Sequence, residues 1–121
     1  MRRREQREHI FKLLFMSEFN SQKEMEEQRA LYFGDIENLD AKDKEYISQK
    51  YMNIMNHTQE LDEKLNSISM GWKTGRMNRV DLTVLRLAVY ELEFEKEEVP
   101  VGVAINEAVE LAKCFGSEES G

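Results

Sequence analysis

One cysteine, Cys114, and one proline, Pro100, are all that this chain of 121 residues has of the two residue types that most constrain a backbone. A single cysteine excludes an internal disulfide, and with no histidine near it at ligand spacing it does not suggest a zinc site. One proline and six glycines leave few breaks in long helical patterns. No apolar run reaches the roughly 18 residues that would cross a bilayer. The arginines at the start lead into an amphipathic pattern with acids and no small-residue cleavage site, so no signal peptide is expected. The protein is expected to be soluble and cytoplasmic. Phosphate loops, internal repeats and low-complexity tracts are missing as well. So are the usual catalytic pairings, since His9 and His57 are far apart in sequence and each reads as a surface or capping residue. Cys114 reads as a small buried or half-buried hydrophobe beside Phe115. The acids from Glu24 to Glu45 and from Glu93 to Glu98 read as solvated faces and a loop without calcium-loop spacing. Neither an enzyme nor a cofactor is expected.

A hydrophobic content of 40% over 121 residues supports one modest core, and its periodicity is helical. Ile10, Phe11, Leu14 and Phe15, with Leu13 and Phe19 beside them, mark one side of a helix from about residue 3 to residue 19, punctuated by Asn20 and Ser21. Met25, Leu31, Tyr32, Phe33 and Ile36 mark an acid-rich second helix ending near Gly34 or a little beyond. Asp40 and Asp43 look like the cap of a third, with the stripe Ile47, Tyr51, Ile54 and Met55. Leu61, Leu65, Ile68 and Trp72 predict a fourth from about 58 to 71, before Gly71 and Gly75. Two groups of helices are expected, over 1–57 and 58–121.

The run from Arg76 to Gly116 carries the most information. Asn78 stands three residues before Asp81, the spacing of an N-cap. In the helix that follows, Val80, Val84, Leu87, Ala88 and Glu91 keep a helical period, while Leu85, Tyr90 and Leu92 widen the apolar arc until the helix should be nearly engulfed. Glu91 is expected to find an arginine such as Arg86, or a rim position. Pro100 suits the start of a last helix and Gly116 a left-handed close. Val101, Ala104, Ile105, Ala108, Val109, Leu111, Ala112 and Phe115 are its expected buried face.

The stretch Val84-Leu85-Arg86-Leu87-Ala88-Val89-Tyr90-Glu91-Leu92, then Val99-Pro100, then Val103-Ala104-Ile105-Asn106-Glu107-Ala108, Leu111-Ala112-Lys113 and Phe115-Gly116 resembles the NusB family of bacterial transcription antitermination factors. The resemblance implies an all-α fold of two perpendicular three-helix bundles. It also implies one more apolar helix after Gly116, for which Ser117 or Ser120 would be the cap. Without that helix, an apolar groove around Leu85, Val89 and Val109 is expected.

Charge supplies the functional asymmetry. The chain carries net −7, yet Arg2, Arg3, Arg4 and Arg7 crowd its first seven residues. Cations there oppose the helix macrodipole, so they help neither capping nor stability. They read either as a solvated basic tail or as a clamp on RNA phosphates. Lys12 fits a solvated lysine or a phosphate contact, and Phe15 fits a core position or a stacking platform. The family resemblance implies the clamp, because NusB proteins bind single-stranded boxA RNA through this region. It further implies that Arg76, Asp81 and Val84 lie in the stretch that grips NusE, a small-subunit ribosomal protein, within the RNA polymerase antitermination complex. Asp81 also suits an acid complementing the dipole, and both roles can hold. Two other readings are the RNA-binding domain of a ribosomal RNA methyltransferase and a protein-only helical scaffold.

Overall fold

The protein is described here by a computed structural model over residues 1–68 and 78–116, and in these residues every regular element is a helix. The elements are α1 (Arg3–Ser17), α2 (Gln22–Gly34), α3 (Ala41–Asn56), α4 (Thr58–Ile68), α5 (Arg79–Phe94) and α6 (Val101–Phe115), an all-α fold. They form two compact units, Met1–Asn53 and Ile54–Gly121, divided within α3. Trp72, Gly71, Gly75, Arg76 and the expected end of the fourth helix beyond Ile68 lie outside the described residues, as do Ser117 and Ser120.

In the first unit, α1 buries Ile10, Phe11, Leu13 and Leu14, α2 buries Met25 and Phe33, and α3 buries Ile47 and Tyr51. Phe19 is not on the buried side as expected. It lies beyond the helix end and is 64% exposed. Leu31 and Met55 likewise face solvent. Ser21 ends the first loop with a capping box: its hydroxyl accepts from the Glu24 N–H at 3.1 Å, and its own N–H donates to Glu24 Oε1 at 2.8 Å. These hydrogen bonds hold the Glu24 carboxyl below its ordinary pKa. Asp40 caps α3 by accepting from the Asp43 N–H at 2.8 Å. Asn38, between α2 and α3, has φ of 58°, a left-handed conformation that asparagine tolerates better than most side chains.

In the second unit, Asn78 caps α5 by accepting from the Asp81 N–H at 2.8 Å, as its spacing predicts. Leu82, Thr83, Val84, Leu87, Ala88, Val89, Tyr90 and Glu91 are all buried, so α5 is the engulfed helix, packed against α4 and α6. The Arg86 guanidinium makes a two-pronged pair with Asp62 of α4, Nε to Oδ1 and Nη2 to Oδ2, both at 2.8 Å. His57 closes the junction of α3 and α4 with its carbonyl, which accepts from the Leu61 N–H at 2.9 Å. Its ring packs 4.5 Å from Phe94 and 6.2 Å from Tyr90.

Helix α6 departs from expectation at three points. Gly116 is extended, with φ −78°, rather than left-handed. Its N–H donates to the Ala112 carbonyl at 2.8 Å, so an ordinary helical bond closes the turn and no positive φ is required. Cys114 is exposed. Only Ala104 and Leu111 of the expected face are fully buried, while Val101, Ile105 and Val109 are 58%, 53% and 46% exposed. Those three step by four along the other half of one wide apolar arc, opposite Asn106, Glu107, Glu110 and Lys113, so the arc is broader than the part that is withdrawn. Of the expected groove, Val89 is buried, Leu85 half-buried and Val109 exposed.

This division predicts unequal costs along one helix. Leu111→Ala should destabilise the protein by about 2 to 5 kcal/mol through a lost contact and a cavity. Ile105→Ala should cost less than about 1 kcal/mol. Urea unfolding of the two variants checks this, and equal losses would mean that the Ile105 side is covered.

Candidate nucleic-acid interface

The basic residues of α1 are arranged by the helix that carries them. Arg2, at the N-cap, makes no side-chain cap, and Glu5 is the acid of the first turn. Arg3 lies over the ring of Tyr46 from α3, 4.6 Å from its centroid, and donates to Gln6 Oε1 at 3.3 Å. Gln6 in turn donates from Nε2 to Asp43 Oδ1 at 2.8 Å, and the Met1 amine stands 3.4 Å from Asp43 Oδ2. Lys50 also reaches Tyr46, with Nζ 3.5 Å from the hydroxyl, although only 4% of Lys50 is exposed.

Residues expected to bind RNA therefore separate by burial. Arg2, Arg3, Arg4 and Lys12 are exposed. Arg7 is buried, at 7% exposure, because it lies in line with the buried Ile10, Phe11 and Leu14, three, four and seven residues on. Phe15 is half-buried, stacked 6.0 Å from Phe11 and edge-on 5.1 Å from Phe19. It thus packs against both neighbouring rings while remaining partly exposed. Tyr46 and Lys50 of α3 escaped the sequence reading, which took Asp43 only as part of a helix cap. The i, i+4 spacing of Tyr46 and Lys50 was visible, but nothing local pointed to Arg3.

Of the expected partner-binding residues, Asp81 is half-buried in the first turn of α5 and Val84 is 5% exposed, whereas Arg76 lies outside the described residues. Among the described residues, no helix is long and apolar enough to cross a membrane, and no group of metal-ligating side chains gathers.

Charge reinforces the asymmetry of α1. The first twelve residues hold five lysines and arginines against two acids, while the other 109 hold twelve against twenty-two. The sequence pattern of the NusB family matches residues 4–121, a span that includes Arg4, Lys12, Phe15, Asp81 and Val84. The chain belongs to the NusB family. Transcription antitermination protein NusB of Agathobacter rectalis is 46% identical over 121 residues, spanning 100% of this chain and 92% of that protein. Its counterpart from Lachnoclostridium phytofermentans is 46% identical over 120 residues, 99% of this chain and 90% of that one. A solved structure of T. maritima NusB superposes with a TM-score of 0.84 at 36% identity, covering 99% of this chain and 82% of that one.

Within this NusB-family chain, α1 is also tied to α2 by a neutral polar contact. His9 Nδ1 and the Tyr32 hydroxyl are 2.6 Å apart, with the rings edge-on at 5.6 Å. His9 is thus neither a surface nor a capping residue. Burial, and after it the charge of Lys12, lowers the His9 pKa from 6.5. Burial, and then Glu8, pushes the Tyr32 hydroxyl up to about 12. Tyr32 therefore keeps its proton and can donate it to an unprotonated Nδ1.

Because the unfolded chain binds the His9 proton more readily than the folded one, the buried neutral ring contributes its full stability only above pH 6.5. Its contribution falls as pH drops below that value and through the lower folded pKa. Melting temperature should decline between pH 7.5 and 5.5, and His9→Gln should flatten part of the decline. An identical pH dependence in the variant would remove His9 as its source.

Proposed function

We propose that the chain is a noncatalytic, cytoplasmic transcription antitermination factor that binds single-stranded boxA RNA along the basic edge of α1. With NusE it helps RNA polymerase pass terminators, notably in ribosomal RNA operons. The observation that carries this reading is the set of exposed cations Arg2, Arg3, Arg4 and Lys12 on an otherwise acidic chain. Guanidinium groups bind phosphate oxygens in forks, and the face of an aromatic ring such as that of Phe15 can stack on an unpaired base. That the relatives are transcription antitermination proteins supports the antitermination role over that of a methyltransferase's RNA-binding domain.

With Arg7 buried, four exposed cations remain for phosphate. On single-stranded RNA the log of affinity should then fall against the log of salt with a slope near −0.7 per contact, about −3 in all. Replacing Arg2, Arg3, Arg4 and Lys12 by alanine should flatten the slope and preserve helicity. A passive basic tail would leave it unaltered.

For the NusE surface, the half-buried Asp81 is the residue of choice, because Val84 is withdrawn into the core. Asp81→Arg reverses the charge at the start of α5 and should weaken NusE binding about tenfold or more. Its cost to folding should stay near 1 kcal/mol, the scale of a helix-dipole contact. Native NusE affinity in the folded variant would place the partner elsewhere.

A further inference from the structure

Arg4, Glu8, Lys12, Phe15 and Phe19 follow one another at steps of four, four, three and four, so they share one side of α1 and its exit. All five are exposed or half-exposed, on the side opposite the buried Ile10, Leu13 and Leu14. From Arg4 to Phe19 is fifteen residues, about 22 Å at the helical rise. The stripe begins in cationic character and ends in two aromatic rings, of which the last is 64% exposed.

Phe19 is held in place although it is open to solvent. Its N–H donates to the Met16 carbonyl at 3.1 Å, and Asn20 Nδ2 donates to the same carbonyl at 2.9 Å. The capping box of Ser21 and Glu24 fixes the chain immediately after it. On its inner side the ring packs edge-on against Phe15, leaving the remainder uncovered. The residues that follow, Asn20, Ser21, Gln22 and Lys23, are all polar. One exposed ring with the half-buried Phe15 beside it and polar residues after it is a small patch for a protein helix, whose docking takes a wider contiguous apolar surface. It is the right size for one nucleobase, and a ring ordered in advance costs less to stack upon.

We infer that Phe19 is a second base-stacking residue, and that single-stranded RNA runs along the Arg4, Lys12, Phe15 and Phe19 side of α1 toward the turn into α2. The inference rests on the RNA-binding reading of α1. It adds a direction: phosphates are held at the start of the helix and bases are taken at its end. Glu8, between Arg4 and Lys12, keeps the middle of the stripe from becoming a general polyanion site.

The test measures the affinity of the intact protein for single-stranded boxA RNA, and for the same RNA with one base at a time replaced by an abasic ribose. Loss of one stacked base corresponds to about 5- to 150-fold in affinity. Phe19→Ala should weaken binding within that range without changing the salt slope, because no phosphate contact is lost. Phe19→Tyr should bind as the native protein does. Phe19→Leu keeps an apolar contact with Phe15 but lacks a π face, so it should behave like alanine. At one RNA position, removal of the base should abolish the difference between native protein and Phe19→Ala. If Phe19→Ala binds normally while the variant lacking Arg2, Arg3, Arg4 and Lys12 is impaired, Phe19 is not a stacking residue and the RNA-binding edge stands. If Phe19→Leu binds normally, the ring acts by packing and the inference is wrong. If neither the arginine-and-lysine variant nor Phe19→Ala changes affinity, the RNA-binding reading fails and this inference falls with it.

Discussion

Four side chains of α1, Ile10, Phe11, Leu13 and Leu14, are 5% exposed or less, and their burial sets the rotation of the helix about its axis. Each such burial contributes about 1.5 to 3 kcal/mol. Together they rival the roughly 5 to 15 kcal/mol that stabilises a whole domain. No other rotation of α1 is therefore open to the folded chain. With the inner side fixed, Arg4, Lys12 and the exposed part of Phe15 can only face outward, and Arg7 can only face inward. The candidate interface is a consequence of the core beneath it.

That rotation leaves cations at a helix N-terminus, where the macrodipole disfavours them by about 0.3 to 1 kcal/mol each near the first turn. Contacts within the first unit offset some of this cost. Arg3 gains the face of Tyr46 and the Gln6 carbonyl oxygen, while Gln6 is itself anchored by Asp43. A cation over an aromatic ring at such a site contributes about 0.5 to 1 kcal/mol, similar to the dipole term. These contacts bring α3 into the basic edge and give Arg3 a defined place. A freely solvated tail would need none of them, so the ordering of Arg3 favours a positioned binding group.

The elements were legible from local chemistry. Asn78 with Asp81 and Asp40 with Asp43 mark helix starts where they were expected, since a cap satisfies backbone N–H groups three residues away, while Ser21, expected only as punctuation after α1, also caps α2. The all-round apolar character of α5 likewise announced an engulfed helix. What local chemistry could not supply was direction and long-range pairing. In α6, Val101, Ile105 and Val109 are as apolar as Leu111, and only packing against α5 decides which are withdrawn. Asp62 and Arg86 are 24 residues apart, and His9 and Tyr32 are 23, so neither pair leaves a periodic trace. Arg7 shows the same blindness within the candidate site: four arginines looked alike in sequence, and the helix phase separated one of them.

The charge distribution then constrains how such an edge can work. Outside its first twelve residues the chain carries ten more acids than lysines and arginines, so a polyanion is repelled from most of it. Screening limits this repulsion to about 8 Å at physiological ionic strength. A strand lying along α1 can therefore meet the exposed cations, whereas a polyanion spreading over the acidic surface cannot. Four phosphate contacts are also fewer than the 6 to 10 that make strongly salt-dependent binders of DNA. Electrostatics alone would give weak and brief association. On the proposed function, tight binding would have to draw on contacts that do not scale with charge, such as stacking on the aromatic end of α1 and a protein partner held at the same time.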